Sequence, residues 1–164
     1  MRVISGLITA SQLDERPDCI PRARSRGKQA LGHRYEEAVA RQLGPKATQG
    51  IWWSFRDRHG PGLCQTDLLM RGQNCSLVIE VKHTWTDEGM AQLKYLYLPV
   101  VSKALGQEII GIQVCKHLVP YARGKIAQTF EEAVRLAYKN NSLVTVHWRG
   151  IGPLLQSQME SASV

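Results

Sequence analysis

The chain has 164 residues, and 21 Lys and Arg against 14 Asp and Glu give it a net charge of +7. Its 43% apolar and 21% charged residues are ordinary for a globular protein and exclude disordered, collagen-like and coiled-coil chains. A chain of this length buries about 70% of its unfolded surface, which is enough for one hydrophobic core. No apolar stretch approaches the ~20 residues of a membrane span, so we expect no membrane association.

The positive charge favours an anionic partner, with nucleic acid first. The sequence has four cysteines but no C-x-x-C pair, so we expect free thiols in a reducing compartment and no zinc or iron–sulfur site. The N-terminus has no long apolar run typical of a signal peptide. We therefore expect a cytoplasmic protein, in a bacterial or phage-infected cell.

The first predicted helix follows an irregular segment. Residues 1–26 contain Pro17, Pro21 and scattered charges, and we interpret them as an N-terminal arm or loop. The apolar positions of residues 28–43 recur every four residues, which predicts a helix that Gly44 and Pro45 end. A domain over residues 27–149 and a C-terminal tail over residues 150–164 complete the predicted organisation.

Three short strands are predicted next. Residues 51–55 are rich in aromatic side chains, and residues 56–62 contain the glycines and proline of a turn. Residues 67–71 and 77–82 are apolar strands separated by Gly72, Gln73 and Asn74, which is a hairpin signal.

The second half alternates helices and strands. We predict a helix over residues 88–105 that Pro99 kinks or splits, and a strand over 109–114. A helix over 130–139, capped by Thr129, and a strand over 143–148 follow. The order α-β-β-β-α-β-α-β predicts a single α/β domain with a mixed β-sheet and helices on both faces.

The hairpin gathers charged side chains. If its turn is centred between Gln73 and Asn74, Asp67 lies directly opposite Glu80. Lys82 is two residues beyond Glu80 and lies on the same face of the hairpin. This placement depends on the turn, because a register slip of one residue would move the side chains of a strand to the opposite face. Charges in an apolar strand need an ionic partner or a metal, and two carboxylates suit Mg²⁺ or Mn²⁺. Such a metal would activate water and polarise a phosphodiester.

The first helix offers a third carboxylate. At 100° per residue, Glu36 falls on the rim of the apolar face, whereas Glu37 falls nearly opposite to that face. We therefore expect Glu36 to face the sheet and Glu37 to face water.

These residues resemble a known family. Asp67, twelve intervening residues and then Glu80-Val81-Lys82 resemble the signature of the PD-(D/E)XK nuclease superfamily. Residues 32–36 are similar to its Gly-x-x-x-Glu helix motif, and residues 92–95 to the Gln…Tyr motif of its RecB-like and lambda-exonuclease-like branches. The resemblance implies an α-β-β-β-α-β core like that of restriction endonucleases, and junction resolvases are a further branch to consider.

The resemblance also implies roles for individual residues. Asp67, Glu80 and the Val81 carbonyl would bind the metal, and Lys82 would be the catalytic lysine. Glu36 would orient water or assist a second metal. Gln92 would support the lysine or the scissile phosphate.

Basic residues lead into the predicted metal-site helix and predict a track for the phosphate backbone, with salt-sensitive binding. The candidate nucleic-acid contacts are Arg22, Arg24, Arg26, Lys28 and Arg34, with Lys94 and Tyr95 from the second helix.

The sequence therefore predicts a Mg²⁺- or Mn²⁺-dependent DNA nuclease without sequence specificity, acting on ends, single strands or branches. Exonuclease and structure-specific endonuclease activities both remain open, in recombination, repair or phage DNA processing, and RNA remains open as an alternative substrate. A homo-oligomer joined through the apolar second helix is also open, and no small-molecule cofactor is expected. The alternative is a non-catalytic nucleic-acid-binding protein with a nuclease-like fold, which would be expected to have lost part of the Glu36, Asp67, Glu80 and Lys82 set.

Overall fold

The computed structural model describes residues 2–20, 27–140 and 143–147. The predicted contacts Arg22, Arg24 and Arg26 and the predicted tail over 150–164 lie outside these residues. The strands are β1 (Thr9–Leu13), β2 (Ala47–Asp57), β3 (Gly60–Met70), β4 (Cys75–Thr84), β5 (Glu108–His117), β6 (Lys125–Ala127) and β7 (Val144–His147). The helices are α1 (Lys28–Leu43), α2 (Asp87–Gln92), a π-helical segment (Leu93–Tyr97), α3 (Leu98–Leu105) and α4 (Phe130–Asn140).

All seven strands form one mixed sheet in the spatial order β1-β2-β3-β4-β5-β7-β6. The first four strands are antiparallel neighbours, and β4, β5, β7 and β6 are parallel neighbours. The fold is therefore the predicted single-domain mixed α/β fold. The elements from α1 to β5 follow the expected α-β-β-β-α-β order.

Helices cover both faces of the sheet, as predicted. Ile79 of β4 packs in a core cluster with side chains of α1 and α4. The preceding residue, Val78, packs in a second cluster with the π-helical segment and α3. Neighbouring residues reach opposite clusters because side chains alternate along a strand. This two-sided burial also explains the nearly continuous apolar sequence of β4.

The prediction of an irregular N-terminal arm over residues 1–26 is wrong for Thr9–Leu13, which form β1 and pair with β2. Ile4 and Leu7 pack against the second core cluster. The side chain of Arg2 also forms an ion pair with Asp57, which is 2% exposed. These partners lie about 40 residues or more away in sequence, so the short N-terminal pattern alone did not indicate them. Strand β6, only three residues long, was also missed.

The turn predicted over residues 56–62 is wrong in extent, because β2 and β3 pair as far as Asp57 and Gly60. The glycines that signalled a loop belong to a strand. The ring of Phe55 occupies the space that a side chain on Gly62 would need. Cross-strand packing of this kind lets glycine remain in a sheet despite its low strand propensity.

The second helix changes its hydrogen-bond spacing just before Pro99. Proline has no N–H to donate to the carbonyl four residues earlier, which belongs to Tyr95. That carbonyl accepts the backbone N–H of Ile4 at 3.0 Å. Leu93, Val100 and Val101 of this helix are buried against the sheet of the same chain. These three side chains are therefore not available to join two copies, and a homo-oligomer stays a prediction without an assigned interface.

All four cysteines are free; Cys64 and Cys115 are buried, Cys75 is partly buried and Cys19 is exposed. Within the described part of the chain, every helix is too short or too polar to cross a bilayer.

Candidate active site

Asp67 and Glu80 meet where β3 and β4 separate. The two strands pair only from Leu68–Ile79 to Met70–Leu77, which is the register that the turn predicted. Beyond Ile79, β4 continues beside β5 alone. The next pair in that register is Asp67 and Glu80, and their side chains interact with each other.

The separation of the strands leaves the backbone of Val81 without a strand partner on the β3 side. Its N–H donates instead to Asp67 Oδ2 at 2.8 Å. The N–H and carbonyl of one strand residue point to the same side. The Val81 carbonyl is therefore directed toward the side where Asp67 lies, as the predicted metal-ligand role requires.

Glu80 is a buried carboxyl group, only 1% exposed. Burial and the neighbouring Asp67 raise the pKa of Glu80, while Lys82 opposes the shift. Burial also raises the pKa of Asp67, and the Val81 N–H opposes that shift. Glu80 Oε2 is buried and has no hydrogen-bond partner among the described residues. An unpaired buried acceptor next to a second carboxylate is a site that a cation would stabilise.

Lys82 provides the positive charge of the site. Its Nζ forms an ion pair with Glu80 Oε1, and its side chain is 31% exposed. Burial lowers the pKa of Lys82, but the charges of Glu80 and Asp67 outweigh burial and hold it above its usual value. The lysine is therefore a charged hydrogen-bond donor with one end accessible from solvent.

Glu36 projects from α1 toward the same group. Burial and the charge of Asp67 raise its pKa. His33 Nδ1 lies 3.5 Å from Glu36 Oε2, and its Nε2 lies 3.4 Å from Glu37 Oε1. The side chain of Glu36 is 29% exposed and that of Glu37 is 49% exposed. The helical geometry thus distinguished the two glutamates in the expected sense.

The structure adds polar residues that the sequence reasoning missed. Glu80, Gln113 and Thr145 are in register on β4, β5 and β7 and form a buried row on one face of the sheet. Gln113 Nε2 donates to the Thr86 carbonyl at 3.2 Å, just before α2. Trp85 Nε1 donates to Thr145 Oγ1 at 3.2 Å. A glutamine within the apolar sequence of residues 109–114 was the available signal.

Tyr97 also borders the carboxyl groups, although it was not among the predicted site residues. It is 6% exposed, and burial together with the charges of Glu80 and Asp67 raises its pKa. A neutral phenol therefore borders the carboxylates from the π-helical segment. The sequence favoured a core residue at this position, with the tyrosine of the Gln…Tyr motif as the alternative.

The remaining predicted residues are more dispersed. Gln92 ends α2, and its Oε1 is buried without a hydrogen-bond partner among the described residues. Arg34 is exposed on α1. Lys94 lies 5.0 Å from the Tyr95 ring and lines a cavity of about 330 Å³ with Ile109 and Gly111. That cavity is at the amino end of β5, away from Glu80, so Lys94 is not part of the carboxylate site. The side chain of Lys28 lies outside the described residues.

The donor set fits a hard divalent cation. Asp67 and Glu80 supply carboxylate oxygens, and Val81 supplies a carbonyl. Mg²⁺ takes one or two carboxylates and completes its shell with water and phosphate oxygens. Within residues 2–20, 27–140 and 143–147, no three His, Cys, Asp or Glu side chains form a complete metal-binding group. Two carboxylates and one carbonyl would leave positions in the coordination shell of Mg²⁺ for water and substrate oxygens.

Comparisons with known proteins extend this description little. No protein-family model and no curated protein matches the chain. The chain is similar to a solved structure described as protein VC1899 from Vibrio cholerae, with 12% identity and a TM-score of 0.38. The match covers 81% of this chain and 31% of that protein, so the chain corresponds to about a third of its length.

Proposed function

We propose that this chain is a metal-dependent DNA nuclease that hydrolyses phosphodiester bonds without reading base sequence. The observation that carries the proposal is the meeting of Asp67, Glu80 and Lys82 where β3 and β4 separate. The unpaired Glu80 Oε2 supports it, because the oxygen is buried beside a second carboxyl group. The resemblance of the same residues to the PD-(D/E)XK signature points to the same chemistry.

In this proposal, Asp67, Glu80 and the Val81 carbonyl would hold Mg²⁺ or Mn²⁺. When bound, the cation would activate a water molecule and polarise the phosphorus centre. Lys82, kept protonated by its carboxylate neighbours, donates hydrogen bonds to the attacking water or to a phosphate oxygen. It thereby offsets the negative charge that develops as water attacks.

Glu36 and Gln92 act around this group. Burial and the charge of Asp67 raise the pKa of Glu36, so this carboxylate holds a proton more readily than an ordinary glutamate and is a candidate proton acceptor. The unpaired Gln92 Oε1 can accept a hydrogen bond from water or from the lysine. The +7 net charge favours phosphate-backbone contacts, which carry no base information.

The test compares wild type, Lys82→Ala and Lys103→Ala on end-labelled linear, single-stranded, circular and branched DNA. Lys103 is an exposed lysine of α3 and serves as the matched control. Each protein is incubated with Mg²⁺, with Mn²⁺ and with EDTA. We expect metal-dependent cleavage by wild type and Lys103→Ala, and a loss of about 100-fold or more in Lys82→Ala.

The products separate the open alternatives. Progressive shortening from an end indicates an exonuclease, and cleavage of the circle or of a branch indicates an endonuclease. Binding without cleavage by the wild type on every substrate and metal would favour the non-catalytic nucleic-acid-binding protein. Equal cleavage by wild type and Lys82→Ala would remove the lysine from the mechanism.

A further inference from the structure

The loop between β5 and β6, residues 118–124, exposes large apolar side chains. Leu118 is 39% exposed and Tyr121 is 68% exposed. Single exposed apolar residues are common on proteins. This loop differs because its position, its charge and the support of Tyr121 all point to one kind of ligand.

Tyr121 is held in place although it is exposed. The Ala122 N–H donates to the Val119 carbonyl at 2.9 Å and closes a four-residue turn. Pro120 and Tyr121 occupy the central positions of that turn, and proline there restricts the backbone before any ligand binds. The Tyr121 ring stands edge-on to Trp85, with 6.3 Å between the ring centroids and 74° between the planes.

Trp85 is itself a fixed support. It is 2% exposed, and its backbone N–H donates to the His117 carbonyl at 2.9 Å. Its indole N–H is bonded to Thr145, as described above. A ring that rests on a rigid neighbour and remains open to solvent is suited to stacking, because little further ordering is needed on binding.

All the charged residues in the chain segment around Tyr121 are positive. Residues 109–130 contain Lys116, Arg123 and Lys125 and no Asp or Glu. His117 is also exposed at the end of β5, and its ring lies 4.9 Å from that of His83. Cations interspersed with an exposed aromatic ring are the elements of a single-strand binding surface, in which phosphates meet the cations and a base stacks on the ring.

The loop also adjoins the candidate active site. Lys82 is in register with Cys115, and Thr84 with His117, so β5 enters the loop beside the end of β4. Trp85 and Thr86 connect that end of β4 to α2 and the buried row. A single DNA strand that contacts residues 116–123 would thus lie at the carboxyl ends of β4 and β5, where Lys82 is located.

We propose that residues 116–123 bind an unpaired nucleotide of single-stranded DNA next to the candidate active site, with Tyr121 as the stacking ring and Lys116 and Arg123 as phosphate contacts. This proposal deepens and rests on the proposed nuclease function, because it assigns the substrate a single-stranded segment beside the cleaved bond. A paired base is covered on both faces by its neighbours, whereas an unpaired base can offer one face to Tyr121.

The test measures binding of the full chain to a fluorescein-labelled single-stranded oligonucleotide and to its blunt duplex by anisotropy, in EDTA to prevent cleavage. The proteins are wild type, Tyr121→Ala, Tyr121→Phe and Tyr138→Ala. Tyr138 is a 53% exposed tyrosine of α4 and serves as the control. We expect Tyr121→Ala to weaken single-strand binding about tenfold, which is the usual effect of one lost stacking contact. Tyr121→Phe, Tyr138→Ala and duplex binding should stay near wild type.

The proposal is overturned if wild type does not bind the single strand, or if Tyr121→Ala binds it as wild type does. An equal loss on single strand and duplex also overturns it, since stacking on an unpaired base would not weaken duplex binding. Thermal melting of each variant confirms that it is folded. If Tyr121 is needed for single-strand binding but the protein cleaves no DNA, the binding surface stands and the nuclease function is rejected. If the protein cleaves DNA but Tyr121→Ala binds and cleaves as wild type does, the nuclease function stands and this binding surface is rejected.

Discussion

Gly89 of α2 lies directly against the side chain of Lys82. A Cβ atom on Gly89 would be 3.3 Å from Lys82 Cε and would overlap the amide of Gln113. Gln113 is fully buried and bonded to the Thr86 carbonyl, so it has little freedom to move away. The start of α2 therefore restricts where the lysine can lie, and the glycine permits that close approach.

Gly89→Ala should therefore displace Lys82 or the start of α2. We expect a loss of about 1–3 kcal/mol in the free energy of unfolding, as for other overpacked cores. We expect cleavage to fall about tenfold to a hundredfold, since small displacements of catalytic groups have effects of that size. Urea unfolding and initial cleavage rates measure the two effects.

Gly32→Ala is the matched control for stability alone, because a Cβ there meets nothing within 4 Å and the residue is inside α1. We expect it to gain about 0.5–1 kcal/mol of stability, since alanine is the better helix former. If Gly89→Ala does not lower the free energy of unfolding or the cleavage rate, the close packing of Gly89 against Lys82 affects neither stability nor activity.

Glu36 and Glu37 form a natural pair of test sites, because both lie close to His33 and the side chain of Glu36 is the less exposed of the two. Glu36→Gln should lower metal-dependent cleavage about 10–100-fold, which is typical for a residue that supports a metal site. Glu37→Gln should leave the rate unchanged. Equal rates for the two variants would place Glu36 outside the mechanism.

Without a divalent cation, Glu80 should make the protein less stable as pH rises. Its pKa in the folded protein is raised to about 8 by burial and by Asp67, from an ordinary value of 4.5. Between these values, the folded state holds a proton that the unfolded state has lost. The free energy of unfolding then decreases with pH, by at most about 1.4 kcal/mol per pH unit for one group.

Urea unfolding in EDTA from pH 5 to pH 8 measures this effect. Glu80→Gln cannot ionise, so it should show a smaller decrease and should be the more stable protein at pH 8. Mg²⁺ should stabilise the wild type more at pH 8 than at pH 5, because the cation competes with the proton for the carboxyl group. Parallel pH profiles for wild type and Glu80→Gln would mean that Glu80 is ionised throughout.

Asp57 should have the opposite pH dependence. Hydrogen bonds from Arg2 and from the backbone N–H groups of His59 and Ser5 hold its pKa below the usual value. Ionised Asp57 therefore stabilises the folded protein fully above the ordinary carboxyl pKa. This stabilisation disappears as the pH falls through the lowered pKa of Asp57. Asp57→Asn should lower the Tm at pH 7 by a few degrees, and the difference from wild type should shrink in acid. A constant Tm difference from pH 7 to pH 2 would exclude ionisation of Asp57 as the cause.

The hairpin shows how far sequence reasoning reaches when its signals are local. The turn at residues 72–74 and the two-residue period of strands placed Asp67, Glu80 and Lys82 on one face, and the register of β3 and β4 agrees. The bounds of α1 were equally accessible, because its apolar positions follow the helical period. In both cases the residues that form the pattern are close neighbours in the chain. They are separated by one or two turns of a helix, or they face each other across a short hairpin.

The errors occurred where distant segments override local signals. The N-terminal segment is a strand because β2, about 40 residues later, accepts it as an edge partner. Gly62 belongs to a strand because the Phe55 ring covers it. Neither partner is visible from the short sequence around the misassigned residue.

By itself, the sequence determined the helical and strand periods, the hairpin register, and hence the meeting of two carboxyl groups and a lysine. Only the tertiary structure decided that Gln113 and Tyr97 border this group and that Tyr121 rests on Trp85 near it. The physical reason is the range of the interactions: periodicity and turns act between neighbours in the chain, whereas burial, strand order and electrostatic coupling depend on segments that meet only after folding.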